Sequence, residues 1–137
     1  MKAIVRSDGS CKGNPGPAAI GAVVRSGNNI SQISRYIGPA TNNIAEYKAL
    51  IYGLEEALRL KASSVEVWLD SELVLNQLLG KYRVKDVQLI PLHKKAKDLL
   101  RSFSEFLLKK ASREENEQSH NLAFKAFRAA NASKNIR

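Results

Sequence analysis

The chain has one cysteine, Cys11, which excludes an intrachain disulfide framework and fits a reducing compartment. Proline (4) and glycine (8) are sparse while 44% of the residues are apolar, which excludes a disordered or low-complexity chain. No apolar run approaches the roughly 18 residues a membrane helix needs, and Met1-Lys-Ala-Ile-Val-Arg-Ser-Asp8 lacks the apolar stretch of a signal peptide. The expectation is therefore a cytoplasmic protein with no membrane partner. Acids are scarce as well: 13 Asp and Glu stand against 22 Lys and Arg, for a formal net charge of +9. Such an excess favours a polyanion such as nucleic acid as partner.

At 137 residues the chain is long enough to bury one real core. Lys2 to Ser7 reads as a strand stopped by Asp8-Gly9, and Gly13-Asn14-Pro15-Gly16-Pro17 as a turn-rich loop. Ala18 to Arg25 and Ile30 to Ile37 follow as strands joined by Gly27-Asn28-Asn29. From Asn42 the period becomes helical, with Thr41 or Asn42 as cap and Ile44, Tyr47, Leu50, Leu54 and Leu58 on one face. Val65 to Leu69 is a strand ending at Asp70, Ser71 to Leu79 a short helix closed by Gly80, and Pro91 opens another helix. Phe103 to Lys109 completes the sheet and Glu117 to Phe127 is a final helix. The order β-β-β-α-β-α-α-β-α predicts an α/β fold, a mixed sheet covered by helices. Residues 1–128 form one domain, and the small, polar tail 129–137 is expected to be disordered. Trp68 and Phe103 are expected in the core, and His93 as a solvated residue at a helix start.

Asp8 and Asp70 each end a predicted strand, and Glu46 lies about one turn into a helix that packs on the sheet. If the strands are neighbours, all three carboxylates meet at one sheet edge. Bare, they would raise one another's pKa values; a cation removes that repulsion. Mg²⁺ takes oxygen ligands and keeps exchangeable waters, and two such ions about 4 Å apart suit phosphodiester hydrolysis. The competing reading makes each acid a cap or a surface charge, Asp70 before a helix being the clearest case.

The segments Asp8-Gly-Ser-Cys-Lys-Gly-Asn-Pro-Gly-Pro, Thr41-Asn-Asn-Ile-Ala-Glu-Tyr-Lys-Ala-Leu, Leu69-Asp-Ser-Glu-Leu-Val-Leu-Asn-Gln-Leu and Arg113-Glu-Glu-Asn-Glu-Gln-Ser-His-Asn-Leu-Ala resemble, in this order, those of the type 1 ribonuclease H family. The likeness covers nearly the whole chain and is to the compact forms without an extra basic helix. It implies a five-stranded sheet of order 3-2-1-4-5 with helices on both faces. It also implies an endonuclease that cuts the RNA strand of RNA–DNA hybrids, leaves 5′-phosphate and 3′-hydroxyl ends, and uses two Mg²⁺ or, in substitution, Mn²⁺. Asp8, Glu46 and Asp70 match the family's catalytic metal ligands. Cys11, Lys12, Gly13 and Asn14 match a loop that meets the hybrid's minor groove, where the 2′-hydroxyl separates RNA from DNA. Asn43 and Asn76 match base or sugar contacts. Thr41 and Asn42 lie where a DNA-strand phosphate is held, with helix capping as the plainer role. A monomer is expected.

The departure is at the fourth acid, where His120 stands. An imidazole can ligate a metal or orient a water, yet it brings no negative charge and prefers softer ions, so Mn²⁺ gains on Mg²⁺. His120 therefore joins the catalytic and metal-ligand candidates. The alternative is a weakened, hybrid- or double-stranded-RNA-binding protein of the same fold, and a polynucleotidyl transferase core is a third class.

Overall fold

The computed structural model describes the backbone of residues 1–135 and the side chains of residues 1–130. Three strands, β1 (Lys2–Cys11), β2 (Gly16–Ser26) and β3 (Asn29–Ala40), form an antiparallel meander. Helix α1 (Asn42–Arg59) crosses to β4 (Ser64–Leu69), which lies parallel to β1. Helices α2 (Glu72–Leu78) and α3 (Ile90–Arg101) lead to β5 (Glu105–Lys110), parallel to β4, and α4 (Glu117–Asn135) follows. The order β3-β2-β1-β4-β5 is the sheet that the resemblance implies.

Each element has a local cause. Thr41 caps α1 by accepting from Ile44 N–H at 3.2 Å, and Pro91 sits in the first turn of α3, where it gives up no helical hydrogen bond. Helix α1 carries the core: Tyr47, Leu50 and Leu54 are fully buried in one cluster with Val5, Val67 and Leu69. Each such side chain contributes about 1.5–3 kcal/mol on burial, so Leu54→Ala would cost about 2–5 kcal/mol. Gly53 makes the close approach possible, since a Cβ there would lie 2.6 Å from Val5 Cγ1. Helix α4 covers the opposite face of the meander through Ala19, Ala123, Ala126 and Phe127.

Four expectations change. Strand β1 does not stop at Asp8-Gly9 but runs to Cys11, paired throughout with β2. Gly9 is there for contact with α1: a Cβ on it would sit 2.2 Å from Ala45 C. Helix α4 continues to Asn135, through most of the small, polar stretch read as a tail; residues 136 and 137 lie outside the described residues. Trp68 is half-buried on the sheet face away from α1, with Arg6 and Lys109 each 5.0 Å from its ring and its indole N–H donating to Glu66. His93 is half-buried too, its Nε2 3.1 Å from Gln77 O. Its ring also meets that of Tyr47 edge-on, so burial of the α1–α3 seam removes it from open solvent. Phe103 is in the core as expected.

Candidate functional site

The parallel ladder between β1 and β4 ends at the pair Ser7–Leu69. The next residue on each strand is a carboxylate, Asp8 and Asp70, so the two acids flank the gap where the strands part. From α1, Glu46 reaches the same point, and Gly9 N–H fixes one of its oxygens at 2.8 Å. Carboxylate oxygens of Asp8, Glu46 and Asp70 lie within 4.8 Å of one another. Asp70 is not consumed as a helix cap: Ser71 does that work, accepting from Val74 N–H at 3.2 Å. The reading of Asp70 as a helix cap therefore falls away.

Asp8 and Glu46 are both buried. Burial pushes the Asp8 carboxyl above its ordinary range, and the Asp70 charge adds to the rise. Glu46 is pushed well above its range by burial first, then by the charges of Asp8 and Asp70. Glu46 Oε2 has no hydrogen-bond partner among the described residues. A buried, unpaired carboxylate oxygen among like charges is a costly arrangement that a cation resolves. The donors are all hard oxygens, which suits Mg²⁺ or Mn²⁺.

His120 comes from α4, with Nδ1 2.9 Å from Asp8 Oδ2. An ionised Asp8 accepts this bond from Nδ1–H, and Nε2, the ring's other nitrogen, is not used in it. His120 thus reaches Asp8 and stands beside the carboxylate trio. Two residues hold α4 there. The buried Asn116 donates through Nδ2 to Ser7 O at 2.7 Å, and its Oδ1 accepts from Ser119 at 2.6 Å. Gly21 on β2 leaves room for the helix, because a Cβ there would be 2.0 Å from Ser119 O.

Asp8, Asp70 and His120 open onto a cleft of about 400 Å³, with Asn42, Lys110 and Arg113 at its rim. Lys110 donates to Asp70 O at 2.8 Å, which holds a cation over the acids. The loop beyond β1 is tied to α1: Asn42 N–H donates to Asn14 Oδ1 at 3.0 Å, and the Cys11 thiol donates to Asn42 Oδ1 at 3.1 Å. Burial raises the Cys11 thiol, which disfavours a nucleophilic thiolate. Gly13, at φ 80°, takes a conformation open to glycine, and Lys12 lies 5.0 Å from the Phe127 ring. Thr41 caps α1 and does not line the cleft; Asn42 is not the cap but bridges to the loop and lines the cleft. Asn43 is half-buried beside them. Asn76, half-buried on α2, does not line the cleft; its carbonyl accepts from Lys81 and Tyr82.

Sequence reasoning missed Gly21 and the tether of Lys110. A glycine inside a strand was the available signal for the first; nothing local marks the second. Among the basic residues between α2 and the end of α3, Lys94 pairs with Asp98 at 2.8 Å and Lys95 lies 3.6 Å from Glu55, while Lys81, Arg83 and Lys85 are exposed.

Residues 6–126 match a family model described as "Reverse transcriptase-like". A Mycobacterium tuberculosis protein called bifunctional is 38% identical over 133 residues, 95% of this chain and 36% of that protein. The ribonuclease HI of Halobacterium salinarum is 40% identical over 122 residues, 88% of this chain and 61% of that enzyme. The chain thus spans about a third to three-fifths of these relatives. Among solved structures, RNase H1 of Halobacterium salinarum superposes with a TM-score of 0.90 at 37% identity, covering 94% of this chain and 99% of that one. LC11-RNase H1, from compost and solved in complex with an RNA/DNA hybrid, gives 0.85 at 35% identity, covering 93% and 98%. With the strand order, the family match and these identities in agreement, the chain belongs to the type 1 ribonuclease H family.

Proposed function

We propose that the chain is an endoribonuclease that cleaves the RNA strand of RNA–DNA hybrids by two-metal phosphodiester hydrolysis, leaving 5′-phosphate and 3′-hydroxyl ends. The observation that carries this is the convergence of Asp8, Glu46 and Asp70 with an unpaired, buried Glu46 Oε2. Relatives named ribonuclease H, one of them solved with a hybrid, support the substrate. Two Mg²⁺, or Mn²⁺ in their place, would activate a water and stabilise the leaving oxygen when bound at these acids.

The chain's own residues do the rest. The three carboxylates would hold the ions, and His120, bonded to Asp8 through Nδ1, would present Nε2 to a water or an ion. Lys110 and Arg113 present positive charge to the phosphate that enters the cleft. Gly13 and Asn14 let the backbone approach the minor groove, where a 2′-hydroxyl distinguishes the RNA strand, and Asn43 and Asn76 extend the contact to bases or sugars. Thr41 and Asn42 hold a phosphate of the DNA strand. The single cysteine and the net charge support a reducing, cytoplasmic setting with nucleic acid at hand. Among the described residues no helix is long and apolar enough to cross a membrane.

A second reading rests on the same histidine. Its bond to Asp8 Oδ2 uses a lone pair that an ion would otherwise take, leaving a hybrid-binding protein of weak activity. An RNA–DNA hybrid labelled on the RNA strand, incubated with Mg²⁺ or Mn²⁺, separates the two. Cleavage that Asp8→Asn abolishes supports the enzyme. Binding with no cleavage in either ion overturns it in favour of the second reading.

A further inference from the structure

The loop between β1 and β2 is held from two sides. Toward α1, Asn14 Oδ1 accepts from Asn42 N–H at 3.0 Å, and the Cys11 thiol donates to Gly13 O at 2.6 Å and to Asn42 Oδ1 at 3.1 Å. Toward α4, Lys12 Nζ lies 5.0 Å from the centre of the Phe127 ring. Lys12 N–H also donates to Pro17 O at 2.8 Å, which closes the loop behind it.

The Phe127 ring is a fixed platform. It is buried in one cluster with Ala19, Ala123 and Ala126, and the Tyr36 ring of β3 meets it edge to face at 6.4 Å and 69°. Lys12 is exposed, so its ammonium keeps its water while it sits over the ring. The negative face of the ring attracts such a cation. Phe127 also stands about two turns beyond His120 on the same helix. One rigid element thus fixes both the partner of Asp8 and the loop that follows β1.

We propose that Phe127 is a positioning residue: by holding Lys12 it keeps Gly13 and Asn14 in the conformation that meets the minor groove before the duplex arrives. The inference rests on the proposed cleavage of RNA–DNA hybrids. A loop fixed in advance loses little freedom on binding, so the pin lowers KM. It acts on the loop and not on the acids, so kcat does not depend on it. A contact made by crowding alone would depend on the size of the ring; this one depends on its electron density.

Trifluorophenylalanine in place of Phe127 separates the two, because fluorine drains the negative face of the ring and barely changes its shape. KM for a labelled RNA–DNA hybrid should rise about two- to fivefold, the factor an exposed cation–π contact carries, with kcat unchanged. In Lys12→Met, which has no cation to hold, fluorination should add nothing to KM. Trypsin reports the pin without any substrate: its cut at the Lys12–Gly13 bond should quicken about two- to fivefold in the fluorinated protein. Unchanged cutting overturns the pin. Faster cutting with unchanged KM, or a rise in KM that persists in Lys12→Met, overturns the positioning role. A native chain that cleaves no hybrid overturns the proposed function and this role with it, while the trypsin rates still report whether the pin exists.

Discussion

Asp8 and Gly21 face each other across the β1–β2 ladder, and that pairing decides where His120 sits. The acid and the missing side chain belong to one rung. Helix α4 descends onto Gly21, so its residue 120 meets the carboxylate next door. Gly21→Ala should push α4 off the sheet, since the new Cβ would lie 2.0 Å from Ser119 O and 2.6 Å from Ala123 N. The expected loss is about 2–3 kcal/mol from overpacking against backbone. Chemical denaturation measures it, and a change under about 0.5 kcal/mol would contradict this packing account.

Replacing His120 tests what the ring does for Asp8. Under the enzyme reading, His120→Asp should raise Mg²⁺-dependent cleavage about tenfold or more, by restoring a hard fourth ligand. His120→Ala should lower cleavage in Mn²⁺ if the imidazole takes part. Rates in the two metals, compared across the three proteins, give the result. Equal rates in all three would show that His120 is a bystander.

Removing a charge from the buried trio should stabilise the metal-free protein. The folded-state pKa of Glu46 is raised above its ordinary 4.5, so its ionised form opposes folding above that raised value. The penalty shrinks as pH falls through it and vanishes below the unfolded value. Glu46→Gln should therefore raise the stability in chelator at alkaline pH, and the gain should disappear near pH 4.5. Thermal unfolding against pH measures this. Added Mg²⁺ should raise the wild-type midpoint more than that of the variant.

Glu56 should behave in the opposite sense. Its carboxylate takes two hydrogen bonds from Arg59, at 2.6 and 2.7 Å, and one from Ser31, and these hold its pKa at about 2. Stability from this group is full above the ordinary value of 4.5 and is lost as pH falls toward about 2. Glu56→Gln should cost about 1 kcal/mol at pH 7 after allowance for solvent screening, with no difference below pH 2. A loss that does not depend on pH would point to packing.

Much of the site was legible because the family's motifs are local. Asp8, Asp70 and Glu46 each sit in a short segment whose neighbours mark it, and element order makes the strands adjacent. What stayed hidden depended on pairs far apart in sequence. Nothing around Trp68 tells that Arg6 and Lys109 flank its ring, and nothing around His93 shows that Tyr47 and Gln77 shield it. Gly9 read as the stop of a strand because glycine is ambiguous between a strand end and a close approach, and only the position of α1 separates the two.

The sequence by itself determined the order of elements, the strand-helix alternation that builds a mixed sheet, and the identity of the three acids. It could do so because periodicity and capping are set by residues within a few positions of one another. Only the tertiary structure decided that Glu46 keeps an unpaired oxygen, that Ser71 rather than Asp70 caps α2, and that His120 bonds Asp8. Each of these depends on how far a strand runs or how closely a helix approaches. Packing of the whole chain sets those distances, and no local pattern encodes them.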